Sequence, residues 1–215
     1  MIRVPLGMLE LPPLERALAE LETDGGWERF GVLEDLPEGE EPLGAFGRAD
    51  WWRGVEAFWL ADASNYPPPL RVEFDRLAFT MSRFPRGFRL YLGWRDGRWW
   101  PVGYAAWHPV SPLVFAWLDR NPREADHEAL QAVPMGDDPC LYLFNYSVRQ
   151  ELRGSELARV LMREYAAEIA AVSPAGMCAL TVSDDGARVA RRFGMTARQK
   201  WWKDGCPWEL WTCRT

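Results

Sequence analysis

Two histidines and four cysteines are a small stock of metal ligands and redox groups for a chain of 215 residues. Cys140, Cys178, Cys206 and Cys213 form no C-x-x-C pair and no zinc-like spacing with His108 or His127. No metal is therefore expected, and the cysteines read as reduced thiols of a cytoplasmic protein. Neither a Walker loop nor a Ser-His-Asp order is present, which removes the commonest sequence signals for nucleotide hydrolysis and serine chemistry. The apolar run of ~20 residues that spans a bilayer is missing, so no membrane is expected as a partner. The start lacks a basic segment followed by an apolar stretch, so no signal peptide is expected. Positive charge is not in excess: a net charge of −6 at pH 7 speaks against nucleic acid as a partner and mildly favours cationic ones. Internal repeats and low-complexity segments are absent.

What is present is enough to build a core. Hydrophobic residues make up 48% of the chain, which excludes disorder as the default state and predicts one domain. Thirteen tryptophans include three adjacent pairs, Trp51-Trp52, Trp99-Trp100 and Trp201-Trp202. On a strand such neighbours point to opposite faces, so a pair is wholly core only where both faces are covered. The rings either pack or line a cleft.

Residues 1–70 read as an N-terminal, largely helical segment of the same domain. Met1–Val4 suits a short strand. Pro13–Leu21 suits a helix with Leu14, Leu18 and Leu21 on one face. Asp35–Gly47 is an acidic loop. Asp50–Leu60 suits a second helix with Asp50 as N-cap, and Pro67-Pro68-Pro69 an extended connector. From residue 88 the pattern sharpens. Phe88–Trp94 and Trp99–Trp107 form a β-hairpin through Asp96-Gly97. Asn121-Pro122-Arg123-Glu124 opens a short helix with Asn121 as N-cap. Leu141–Val148 is a buried strand, Ser155–Ala171 an amphipathic helix, and Met177–Val182 a strand parallel to the first. Ala187–Phe193 is a short helix stopped by Gly194, and the chain ends in an aromatic hairpin turned at Lys203–Cys206.

The strand at 141–148 feeds a loop holding Arg153-Gly154-Ser155 and then a helix start. Backbone N–H groups there can face a phosphate, and a glycine lets it come close. Arg153 can add a charge-assisted contact.

Three segments carry a resemblance. Val148-Arg-Gln-Glu-Leu-Arg153-Gly154-Ser155-Glu156-Leu157-Ala158-Arg-Val-Leu161 is similar to the coenzyme motif of the GNAT superfamily of acyl-CoA-dependent N-acyltransferases. Ala187–Met195 resembles the family's later helix ending in Leu-Gly-Phe. The hairpin Leu92–Tyr104 resembles its central hairpin. The three fall in the family's order over residues 88–195, within a core of 71–215. The resemblance implies an α/β fold: a mixed, mainly antiparallel central sheet with a splayed parallel strand pair, flanked by helices. It implies acetyl-CoA as co-substrate, with Tyr146, Ser147 and Val148 bonding the pantetheine arm, and Arg153, Gly154, Ser155, Glu156, Leu157 and Ala158 forming the diphosphate loop. It also implies direct acyl transfer to the amine of a small molecule or peptide. Two departures stand out. Glu156 replaces the family's central glycine, and Ala190 stands where the family often has a tyrosine as general acid. Tyr146 and Ser183, near the ends of the two splayed strands, are the substitutes. His108, directly after the hairpin strand, is the candidate base, ahead of Glu73, Asp75 and Glu209. The alternative is a catalytically degenerate GNAT-like domain that binds CoA or a protein partner.

Overall fold

Asp96 (φ 53°) and Gly97 (φ 76°) take up the left-handed backbone that a two-residue primed turn requires. They join β3 (Phe88–Arg95) to β4 (Arg98–Val110), the hairpin expected from sequence. The computed structural model describes residues 1–23, 25–34, 49–118, 120–126, 128–203 and 205–214. The loop expected at 35–47 and His127 lie outside the described residues. The other strands are β1 (Ile2–Val4), β2 (Arg29–Leu33), β5 (Cys140–Val148), β6 (Gly176–Thr181), β7 (Thr196–Lys203) and β8 (Cys206–Arg214). The helices are α1 (Leu14–Leu21), α2 (Ala49–Asn65), α3 (Phe74–Arg83), α4 (Pro112–Leu118), α5 (Glu156–Val172) and α6 (Asp184–Arg192). The strands hydrogen-bond in the order β1-β2-β3-β4-β5-β6-β8-β7. The β1–β2 and β5–β6 pairs are parallel, whereas β2–β3, β6–β8 and β7–β8 are antiparallel. This is the mixed α/β sheet with flanking helices that the sequence implies.

The chain divides into two compact units, Met1–Ala105 with Ser147–Ala158, and Ala106–Tyr146 with Arg159–Thr215. In the first, α1 and α2 bury Ala17, Leu21 and Leu60 around Trp100, with Trp27 and Trp59 packed against them. Asp62 of α2 is buried and accepts hydrogen bonds from the Tyr104 hydroxyl (2.8 Å) and the Val72 N–H (2.8 Å). Gly103 marks a close strand approach: a Cβ there would lie 2.2 Å from the Ser147 carbonyl oxygen. In the second unit, Tyr165 of α5 reaches the Ala106 carbonyl (2.9 Å) and packs edge-on against Phe193.

Several expected details differ. Ala49 is already helical, so Asp50 lies inside the first turn, where its carboxylate takes the Arg53 guanidinium (3.1 Å); a carboxylate suits that turn's dipole without capping it. Only Pro67 of the proline triplet is extended, and Pro68–Leu70 is a 3-10 turn. Proline fixes φ but leaves ψ open, so both conformations are compatible with it. Asn121 does not cap. Its amide donates to the Trp117 carbonyl (3.1 Å) at the end of α4, and Pro122–Glu124 is a single 3-10 turn. The later helix starts three residues early, at Asp184, because Ser183 caps it. Of the tryptophan pairs, the first sits on a helix and Trp99-Trp100 is wholly buried. Trp202, on the final hairpin, is 74% exposed.

Candidate functional site

The near-continuous apolar run of β5 makes a strand buried over most of its length. Its parallel register with β6 runs from Cys140↔Gly176 to Leu143↔Ala179. Among the described residues the register stops there, although β5 runs on to Val148 and β6 to Thr181. The two strands therefore part at Phe144, as the sequence resemblance implies.

After Val148, the Arg149 N–H donates to the Val102 carbonyl (2.8 Å) and Gln150–Leu152 makes a 3-10 turn. Gly154 follows at φ 74° with nothing within 4 Å of the position a Cβ would take. Ser155 Oγ accepts from the Ala158 N–H (3.2 Å), capping the 17-residue α5. A loop that turns through a left-handed glycine into the N-terminus of a long helix offers backbone N–H groups and a favourable dipole to an anion. Arg153 is exposed, with Nε 3.5 Å from the Val148 carbonyl. Glu156 is exposed in the first turn, while Leu157 and Ala158 are half-buried on the inner side.

Tyr146 is half-buried and stacks on Tyr165 (centroids 5.7 Å apart). Burial pushes its phenol up to about 12, with the Arg192 charge opposing. The group is protonated at neutral pH and can donate. Ser147 is only 7% exposed. Ser183 is exposed, and its Oγ accepts from the Gly186 N–H (3.1 Å) as the cap of α6. His108 does not follow the hairpin strand but lies inside it, since β4 runs on to Val110. It is 1% exposed, with Nδ1 3.2 Å from the Pro109 carbonyl oxygen, and packs against the Tyr142 and Phe144 rings. Ala190 is buried. Glu73 and Asp75 are exposed at the start of α3, whereas Glu209 is half-buried on β8 directly opposite Thr181, the last residue of β6.

Nothing in the local pattern marks Arg149, Glu151 and Trp27 as a group, yet they bond one another at the start of the loop. Arg149 Nε is 2.5 Å from Glu151 Oε1, and the Trp27 indole donates to the same oxygen (3.2 Å). An arginine directly after a strand with a glutamate two residues on was the one local signal.

No family model matches the chain, and no curated protein does. Solved structures do match in fold. The NatC complex bound to Gag peptide and CoA aligns over 87% of this chain and 99% of that one, with 11% identity and a TM-score of 0.51. Ard1 from Thermoplasma volcanium aligns over 86% and 97%, with 9% identity and a TM-score of 0.51. The GNAT-like decarboxylase GphF in complex with isobutyryl-CoA aligns over 74% and 94%, with 17% identity and a TM-score of 0.53. Among the described residues no helix is long and apolar enough to cross a membrane. By its fold, the chain is GNAT-like.

Proposed function

We propose that this chain is an acyl-CoA-dependent N-acyltransferase that passes an acetyl group directly to the amine of a small molecule or peptide in the cytoplasm. The observation that carries the reading is the end of the β5–β6 register at Leu143↔Ala179, followed further along the chain by the Gly154 turn into α5. Similarity in fold to proteins solved with CoA or isobutyryl-CoA supports it.

Acetyl-CoA would supply the acyl group as an activated thioester. The loop from Arg153 to Ala158 would hold its diphosphate at the head of α5, where the helix dipole favours anionic charge, and Arg153 would add a charge-assisted contact. The backbone of Tyr146, Ser147 and Val148 holds the pantetheine arm as an added strand edge and polarises the carbonyl. Tyr146, protonated at neutral pH, donates to the departing sulfur in place of the family tyrosine missing at Ala190. Glu209, beside the end of β6, accepts the amine proton through water. His108, enclosed by two aromatic rings, keeps a packing role, and Ser183 keeps its capping role.

A second reading, a GNAT-like CoA-binding or interaction domain without turnover, is favoured by the buried alanine at 190. Acetyl-CoA at about a hundred times its dissociation constant should raise stability by about 2.7 kcal/mol. Absence of stabilisation overturns both CoA readings. Stabilisation without thiol release across a panel of amines leaves the second.

A further inference from the structure

The loop that follows β5 is tied down from below. Arg149 is 4% exposed, and its guanidinium donates to the carbonyls of Leu21 (2.5 Å), the last residue of α1, and Thr23 (3.3 Å), just past it. Its third side meets Glu151 in an ion pair whose acid is also mostly covered. Arg95 of β3 reaches the same turn, donating to Glu20 (2.7 Å), Thr23 (2.9 Å) and Gly25 (3.4 Å). Both guanidinium groups face the Trp27 ring, at 4.6 Å for Arg95 and 5.7 Å for Arg149. Carbonyls at a helix end lack partners within the helix, and cations there suit its dipole.

We propose that Arg149 is a positioning residue that locks the Arg149–Ser155 loop onto the end of α1, so that the head of α5 that follows the loop is already set to face a diphosphate. The inference rests on the acyl-CoA reading above. An apolar side chain would bury as well but would fix no direction. A planar fork that bonds three acceptors at once fixes the orientation of the residue that begins the loop. Burial pushes the Glu151 carboxyl up, yet the hydrogen bond from Arg149, with help from Arg149's charge and Trp27, outweighs it and holds the acid below its ordinary value. Glu151 lies inside the loop, so the ion pair and the Trp27 bond grip it at a second point. The N-terminal segment thereby gains a role that its sequence does not announce: the turn after α1 is the seat of the anchor loop.

The test compares the full chain with Arg149→Lys and Glu151→Gln, neither of which changes a group that touches the ligand. Acetyl-CoA and pantetheine, which lacks the diphosphate, are titrated separately, and amide exchange is followed by mass spectrometry. Arg149→Lys keeps the charge but loses the fork, and acetyl-CoA affinity should fall about tenfold or more. Pantetheine affinity should stay within about twofold, because its contacts lie on the strand. Exchange should rise in peptides covering 150–158 and stay level in β8. A general structural role would instead weaken both ligands alike and raise exchange in both places. If Arg149→Lys does not fold, Glu151→Gln must show the same ligand split on a smaller scale. Equal loss for the two ligands, or no loss in either variant, overturns the proposal. A wild-type chain that binds pantetheine but not acetyl-CoA overturns the site reading, and exchange alone then decides whether Arg149 orders the loop.

Discussion

Asp62 gives a stability test that is independent of any ligand. Its carboxylate is 2% exposed and is held by the Tyr104 hydroxyl and the Val72 N–H, both at 2.8 Å. Burial pushes it up to about 6, against the pull of the Val72 and Tyr104 hydrogen bonds and the Arg71 charge. In the unfolded chain the same group titrates near its ordinary value of about 4. The folded state therefore holds the proton more tightly, and folding takes up a proton between about pH 4 and pH 6. Stability from this group is complete below pH 4 and falls as pH rises through 6, by about 3 kcal/mol at 1.36 kcal/mol per pH unit. Asp62→Asn keeps the shape. Its carbonyl accepts from Val72, its amide donates to the Tyr104 oxygen, and it carries no charge to bury. The variant should match wild type near pH 4 and exceed it by up to about 3 kcal/mol near pH 7.5. Urea unfolding of both proteins at pH steps from 4 to 8 reads the difference directly. A difference that stays flat across that range, or that grows toward acid, refutes the reasoning.

Gly103→Ala puts a methyl 2.2 Å from a backbone oxygen and 2.7 Å from the Val148 Cα, where neither neighbour is a flexible side chain; a loss of about 1–3 kcal/mol or more by urea unfolding is expected. Tyr146→Phe should slow thiol release about a hundredfold at saturating amine while acetyl-CoA affinity stays the same. Because burial raises the phenol to about 12, the wild-type rate should show no falling limb from this group below pH 10; an alkaline limb centred near 8 that vanishes in the variant would refute the raised value, and equal rates for the two proteins would refute the role.

The parts of the fold that could be read were those whose signal is local. The Asp96-Gly97 turn demands positive φ, β5 is too apolar to be anything but buried, and the Gly154 turn sits between a strand and a periodic helix. The parts that could not be read depend on partners far away. Helix α3 has no side-chain cap at Glu73, and seven continuous apolar and proline residues make α4 indistinguishable from a strand by pattern. His108 follows a tryptophan and precedes a proline, which reads as a strand exit, but β4 runs through both. Ser183 looks like a hydroxyl at a strand end until the helix behind it begins earlier than its apolar pattern does. The anchor residues divide in the same way. Gly154 and the helix start were legible because turn and cap chemistry is local, whereas Arg149 was not, because its acceptors lie near residue 21.

That separation has a consequence for how the chain acquires its structure. Arg149 meets Leu21 and Thr23 across 128 and 126 positions, and the first unit resumes at Ser147 only after the chain has left it at Ala105. During synthesis at about 5–20 residues per second, the turn after α1 waits about 6–25 seconds for the arginine that closes it. Closing so long a loop is an ordering cost met late, so folding of this unit should be slow relative to its helices. A nascent chain stopped before residue 149 would keep the tryptophans at 27 and 100 in a half-finished core, where a chaperone that binds aromatic surface would find them.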